Sequence, residues 1–424
     1  MERRDFVRSA LATAVLTLPG RPVLAHLARP PRPTHRYRIR DVEAVTGDGK
    51  SVTLSDAVIA GLRARLRGPV LLAGDDGYDS ARMILNPSFD KRPALIVQPT
   101  GVADVRTAVM FAREHGGLLL AVKCGGHSFS GASTCDRGVM LDLSRFRDVH
   151  VDPAARRARV TGGSLLGQVD HEALAFGLAT PLGTVSHTGV GGLVTGGGFG
   201  RLGRRFGLAV DNLASVDVVT ANGEFLRASA DENPDLFWGV RGGGGNFGIV
   251  TSFEFVLHPV QRQVLGGEVV FPIARARDVL AMMSEYAYGA PDELTLGFAM
   301  VQPPGDRPGV AVVEVCYSGD PARAETVLAP VRKLGSPIAD TVAPMDYVAL
   351  QRSGDVKDPR AQGMYLKGGF IPALPAELIA RMVDEFTPDP GRLTSAFFQL
   401  SGGAVARVAP MPRPSSSAMP TRTC

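Results

Sequence analysis

The chain has 424 residues, 45% of them hydrophobic and 21% charged, with a formal net charge of +4. That length exceeds one ordinary core and implies two domains. The positive excess sits at the N-terminus (Arg3, Arg4, Arg8, Arg21, Arg29, Arg32, Arg36, Arg38 and Arg40). With no basic stripe elsewhere and a single Trp, nucleic-acid binding is excluded. Four cysteines, Cys124, Cys135, Cys316 and Cys424, form no C-x-x-C pair and have no His cluster nearby, so no metal site is expected.

Residues 1–28 read as an export signal. Arg3-Arg4 and Phe6 precede a short apolar run from Ala10 to Leu18, with small-residue cleavage options around Ala25 and Ala28. The paired arginines point to the twin-arginine export machinery, and an ordinary secretory signal is the alternative. The apolar run is too short to span a bilayer, and no other segment is long and apolar enough to make a membrane helix. The Pro/Arg-rich stretch opening residues 29–51 reads as a linker. A first domain is expected over 52–260. Ala94 to Val97 reads as a buried strand. Val102, Val105, Val109 and Ala112 form a helical stripe closed by Gly116-Gly117, and Leu118 to Val122 is a second strand. Val216 to Thr220 and Glu224 to Leu226 flank Asn222-Gly223, a hairpin signal in which both turn residues are expected at positive φ. Ile249 to Leu257 alternates as a further strand.

Composition shifts near residue 260, where the glycine clusters stop. A second, α+β domain is expected over 261–410. Its strands run Leu294 to Val301, Val310 to Tyr317 and Phe397 to Leu400, and its helices lie near 275–288, 322–334 and 375–386. Residues 411–424, with Met411-Pro412-Arg413-Pro414 and three serines, show no apolar period and read as a tail.

Fifty glycines are the informative excess, and they cluster in three loops. The first is Gly125-Gly126-His127-Ser128-Phe129-Ser130-Gly131, just after a strand. The second runs from Thr184-Val185-Ser186-His187-Thr188 through Gly191-Gly192 to Gly198. The third is Arg241 to Gly248. Glycines let backbone amides approach a ligand closely and form anion-binding nests. Three such loops in one half of a chain point to a long phosphate-bearing ligand. A Rossmann fold fails because no G-x-G-x-x-G joins a first strand to a first helix, and a P-loop fails because no G-K-[ST] is present.

Several runs in this half resemble the FAD-binding domain of the vanillyl-alcohol-oxidase/PCMH flavoproteins, specifically the berberine-bridge-enzyme-like branch. They are Asn86-Pro87 to Ala94, Val122 to Gly131, Leu141-Asp142-Leu143-Ser144, Thr184 to Leu193, Gly207 to Leu213, and Asn233-Pro234-Asp235-Leu236-Phe237-Trp238 through Gly248 to Thr251. The resemblance covers about 180 residues in the family's order. It implies an α+β fold: a PCMH-type FAD-binding domain plus a substrate domain whose antiparallel sheet is covered by helices. It implies FAD bonded to His127. The position of a second, cysteinyl link is Val185, so a single covalent bond is expected. Gly125, Gly126, Ser128, Gly131, Thr188, Gly191, Gly192 and Gly198 would cradle the pyrophosphate and adenosine, and Asn246, Gly248, Ile249 and Val250 would line the flavin and adenine walls.

The implied reaction is hydride transfer from an alcohol, sugar or secondary metabolite to the flavin, with O2 as electron acceptor and a small molecule as the other partner. Where the family's plant enzymes place a Glu base, this chain has Gln399, which cannot act as a base at neutral pH. Tyr365 and Tyr347 are the remaining candidates for catalysis. Family chains continue for several tens of residues beyond the strand that ends here, so the terminus is read as an aberrant tail of the kind a frameshift leaves. Two other readings stand beside the oxidase: an inactive flavin-binding remnant, and a noncovalent NADPH-linked reductase of the same fold. Export and the His127 loop argue against the reductase.

Overall fold

The structure is a computed structural model that describes residues 40–355 and 363–408. The export signal, residues 29–39 of the linker stretch and the tail over 411–424 lie outside the described residues.

The first lobe holds two main sheets with a helix between them. A four-stranded mixed sheet takes the order Val70–Leu71, Leu95–Val97, Val139–Asp142, Leu120–Lys123, its last three strands parallel. The run at 94–97 forms a strand because it is buried on both faces, as parallel strands covered by helices are. Helix Val102–Glu114 follows, and its Val105, Ala108, Val109 and Phe111 pack with Val97 and Leu141 on one side and with Val219 and Ile249 on the other. The apolar stripe read from the sequence is therefore what joins this sheet to the next. That second sheet is antiparallel, in the order Phe225–Ser229, Leu213–Val219, Ile249–Val256, Arg157–Thr161, Val149–Asp152.

Three local expectations are corrected. The linker expected over 29–51 ends before residue 42. Val42–Val45 pairs with Ser51–Leu54 as a hairpin, Ala44 and Val45 are buried, and the Val45 amide donates to Arg137 O at 2.8 Å. Four-residue strands are too short to show an alternation. The turn at Asn222-Gly223 is a longer loop in which only Gly223 takes positive φ (76°) and Thr220 N–H bonds Glu224 O. The strand Ile249–Val256 does not alternate, because Ile249 to Phe253 is buried throughout at the centre of its sheet.

The second lobe is one antiparallel sheet, Ala339–Asp340, Gln263–Pro272, Val310–Tyr317, Leu294–Gln302, Thr394–Gln399, with Ala343–Asp346 also paired to Gln263–Pro272. The strand Gln263–Pro272 was missed from sequence because Gly266-Gly267 interrupts its pattern. Helices Ala276–Gly289, Ala324–Arg332 and Ala376–Asp384 cover one sheet face through Val279, Leu280, Met283, Val327, Leu328 and Ile379. The opposite face carries Glu268, Glu314, Gly297 and Gln399 in one cross-strand row and turns toward the first lobe. Among the described residues, no helix is long and apolar enough to cross a membrane.

Candidate active site

The first two glycine loops meet backbone to backbone. A Cβ on Gly125 would lie 2.2 Å from the Gly189 nitrogen, and one on Gly189 would lie 2.4 Å from Cys124 Sγ. Only glycine permits this approach, which brings His127 and His187 side by side. Their rings pair through Nε2 of His127 and Nδ1 of His187 at 2.6 Å. Thr188 Oγ1 stands 3.3 Å from the other His127 nitrogen, Nδ1. Burial holds the His127 imidazole down to about 4, and its neighbour His187 adds to that while Asp355 opposes it. His127 is therefore a neutral imidazole at physiological pH, as a nucleophile must be.

Asp355 reaches this site from the second lobe, just after helix Tyr347–Arg352. Its carboxylate accepts from the Ser186 amide at 2.8 Å and from Ser186 Oγ at 2.5 Å, and it stands 4.0 Å from His187 Nε2. Sequence reading missed both residues. His187 sits between Ser186 and Thr188 of a quoted motif and was legible as a histidine flanked by a glycine loop. Asp355 was not, because 169 positions separate it from Ser186.

The other cradle positions divide by role. Gly192 is exposed, and a side chain there would meet nothing within 4 Å; Gly244 and Gly245 are open in the same way. Helix Val190–Thr195 packs against the turn Gly244–Phe247, so the second and third loops form one ridge of bare backbone with Asn246 exposed on it. Such a ridge fits a long dinucleotide laid along main chain. One expected cradle amide is otherwise engaged: that of Thr188 bonds Val185 O. Buried Cys124 lies against Gly189, with its thiol directed at Ser164 O at 3.5 Å. Gly131 (φ +73°) makes room for the Phe89 ring, Gly198 (φ +83°) for Ala209, and Gly248 (φ +130°) for Val219 O. These three are explained by packing. Ile249 and Val250 point into the cores on either side of their strand. Gly126 takes φ +71° beside the Lys123 side chain, and Ser128 Oγ caps the loop by accepting from the Ala132 amide.

The three catalytic candidates end up in different places. Tyr347 is wholly buried against Leu174, Ala179, Leu202, Val260 and Cys316, and burial pushes its phenol far above the usual range. It cannot touch a substrate, and its candidacy is withdrawn. Tyr365 is 84% exposed on an extended segment. That segment is tied to the His127 loop by Asn86, whose Nδ2 donates to Met364 O at 2.7 Å and to Phe129 O at 3.1 Å, and whose Oδ1 accepts from Met364 N–H at 3.0 Å. Gln399 lines a cavity between the lobes with Thr184, Arg201, Arg204, Glu314 and Ser401. Glu314 lies one strand beyond Gly297 from Gln399 and puts a carboxylate where sequence reading saw none.

Comparison with known proteins agrees with this architecture. Residues 93–229 match the FAD binding domain family. An FAD-linked oxidoreductase of Dictyostelium discoideum is 37% identical over 80% of this chain and 74% of its own length, and the (R)-6-hydroxynicotine oxidase of Paenarthrobacter nicotinovorans is 32% identical over 80% and 75%. Among solved structures, 6-hydroxy-D-nicotine oxidase of Arthrobacter nicotinovorans superposes with a TM-score of 0.68 at 30% identity, covering 80% of this chain and 82% of that one. A chitooligosaccharide oxidase gives 0.72 at 26% identity, covering 86% and 80%. The chain belongs to the FAD-linked oxidoreductases of the PCMH type, in the berberine-bridge-enzyme-like branch. It is an oxidoreductase enzyme, and its α+β fold is that of its PCMH-type relatives.

Proposed function

We propose that this chain is an oxidase that carries FAD on a single covalent bond at His127 and removes hydride from an alcohol, sugar or secondary metabolite, with O2 reoxidising the flavin. One observation carries the covalent reading: His127 is a neutral imidazole at the meeting point of two glycine loops, with one ring nitrogen spent on His187 and Nδ1 left beside Thr188. Val185 occupies the position of the second link, which supports one bond rather than two. When bound, the flavin supplies a two-electron acceptor, and the protein supplies position and proton removal. The row Glu314, Gly297, Gln399 faces the cavity and offers acceptors to substrate hydroxyl or amine groups. Tyr365, exposed on the segment that Asn86 ties to the His127 loop, is the group assigned to take the hydroxyl proton. The relatives' printed substrates, hydroxynicotine and oligosaccharides, span amines and sugars, so the class is kept at small organic hydride donors. Arg3-Arg4 with the following apolar run supports export through the twin-arginine machinery.

Acid precipitation of the full chain tests the proposal. A washed pellet that keeps its flavin absorbance, and loses it in His127→Ala, fixes the bond at His127. A colourless parental pellet defeats the covalent reading. Bleaching of the bound flavin by sulfite or by a donor then separates an active oxidase from the inactive remnant, a reading motivated by Gln399 standing in place of a carboxylate.

A further inference from the structure

We propose that Asp170 is a positioning residue for the donor site. Acting through Gln351, its neutral carboxyl leaves the Arg201 guanidinium to a donor in the cavity between the lobes, and its carboxylate draws that guanidinium back into the seam. The inference rests on reading that cavity as the donor site and is independent of how the flavin is held. A guanidinium only donates, so the donor it fits presents an oxygen acceptor: a hydroxyl, carbonyl or carboxylate.

The relay has one possible orientation. Gly183 O can only accept, so Gln351 Nε2 must face it, at 2.7 Å, and the same nitrogen donates to Asp170 Oδ2 at 3.2 Å. Gln351 Oε1 is then left to accept from Arg201 Nη1 at 2.9 Å, and Arg201 Nη1 also donates to Thr184 O at 3.0 Å. Arg201 lines the cavity with Glu314 and Gln399. Its main chain is pinned by Thr295 Oγ1, which donates to Arg201 O at 2.7 Å, so its side chain alone can shift between seam and cavity. From the cavity side it is attracted by Glu268, which pairs across the sheet with Glu314.

Asp170 is fully buried, and its Oδ1 has no hydrogen-bond partner among the described residues. Burial pushes its carboxyl up to about 7, against the pull of Gln351 and Arg201. The other ionisable groups around it do not titrate near neutrality. Tyr347, on the neighbouring helix, is a phenol that burial holds far above its usual range, and burial pushes the Cys316 thiol beside it up to about 12. His171 and Glu172 on the helix Leu166–Leu174 are exposed, as are Arg352 and, on the strand under that helix, His150 and Asp152. Loss of the Asp170 proton therefore places a negative charge behind Gln351 in a low-dielectric seam. That charge attracts Arg201 and, by polarising the amide, strengthens the bond that Gln351 Oε1 accepts.

Phenylglyoxal, which modifies arginine, reports how far Arg201 is offered to the cavity, and it needs neither flavin nor a known donor. The full chain is labelled from about pH 6 to about pH 8.5, spanning the Asp170 titration. Modification of Arg201 is read by peptide mass spectrometry relative to exposed Arg323, which cancels the reagent's own pH dependence. The parental ratio is expected to fall at least about threefold as pH rises through this range, whereas Asp170→Asn keeps the low-pH ratio throughout. Gln351→Met, which removes the relay, is expected to lose the step as well; if it does not fold, Asp170→Asn alone decides. A purely structural Asp170 would change the ratio equally at every pH. A parental ratio that is flat with pH, or a step that persists in Asp170→Asn, overturns the inference. So does an Arg201 that stays unmodified throughout, because it is then closed to a donor. None of these outcomes bears on the bond at His127, which the acid pellet tests separately.

Discussion

His127 is the residue on which chemistry and stability meet. In the unfolded chain its imidazole protonates near 6.5, whereas in the fold burial holds it down to about 4. Between those values the unfolded state binds more protons, so stability falls as pH falls through this window and is fully present above it. For the flavin-free chain the loss is expected to approach about 3 kcal/mol by pH 4, and His127→Ala should flatten that slope in urea unfolding measured from pH 7 to 4. Tyr365 gives a second expectation at this scale. Tyr365→Phe should keep the yellow acid pellet and lower the rate of flavin reduction by donor roughly 100-fold, the range for a lost proton acceptor. An unchanged reduction rate would move the role to Glu314.

At the scale of elements, the site depends on two loops that touch through main chain and on one strap. Gly125→Ala places a methyl 2.2 Å from the Gly189 nitrogen, with backbone on both sides and nothing flexible to yield. It should part the loops and abolish flavin attachment, with a stability loss of about 3 kcal/mol or more in thermal unfolding. The strap is the extended segment held at Met364. Asn86 is fully buried and its side chain makes four bonds to the chain around it, two of them to Met364. Asn86→Ala should cost about 1–3 kcal/mol and open the segment around Tyr365 to proteolysis while the rest of the fold resists. A protease pattern identical to the parent would show that other contacts hold the strap.

At the scale of the whole molecule, the two lobes share a buried polar seam. Gln351 of the second lobe donates to Asp170 at 3.2 Å and to Gly183 O at 2.7 Å, and accepts from Arg201 at 2.9 Å. Arg204 donates to Ser401 O and Ala290 O across the same boundary. Complete burial pushes the Asp170 carboxyl up to about 7, against the pull of the Gln351 bond and Arg201. The folded state therefore keeps a proton that the unfolded chain releases above 3.8, so this group's contribution falls as pH rises from there through 7. Asp170→Asn removes that penalty and should raise the melting temperature at pH 8, by a gain on the order of 2 kcal/mol, with little gain at pH 4. A variant that melts lower at pH 8 would show the carboxylate is ionised and paired.

The sequence by itself determined what depends on local pattern and on glycine. The strand at 95–97, the helix at 102–114, the three helices that cover the second lobe's sheet and its strands at 294–302 and 310–317 were legible from hydrophobic period. His127 was legible because it stands among glycines whose spacing belongs to a flavin loop. The glycine runs marked close backbone approach correctly, but not what was approached. Gly131, Gly198 and Gly248 make room for Phe89, Ala209 and Val219, which no run of sequence links to them. Only the tertiary structure decided the pairing of His127 with His187, the arrival of Asp355, the burial of Tyr347 and the row from Glu314 to Gln399. Each depends on strand register or on contact between segments far apart in the chain. Hydrophobic period says which face of a strand is inward, but not which strand lies beside it or which side chain stands opposite.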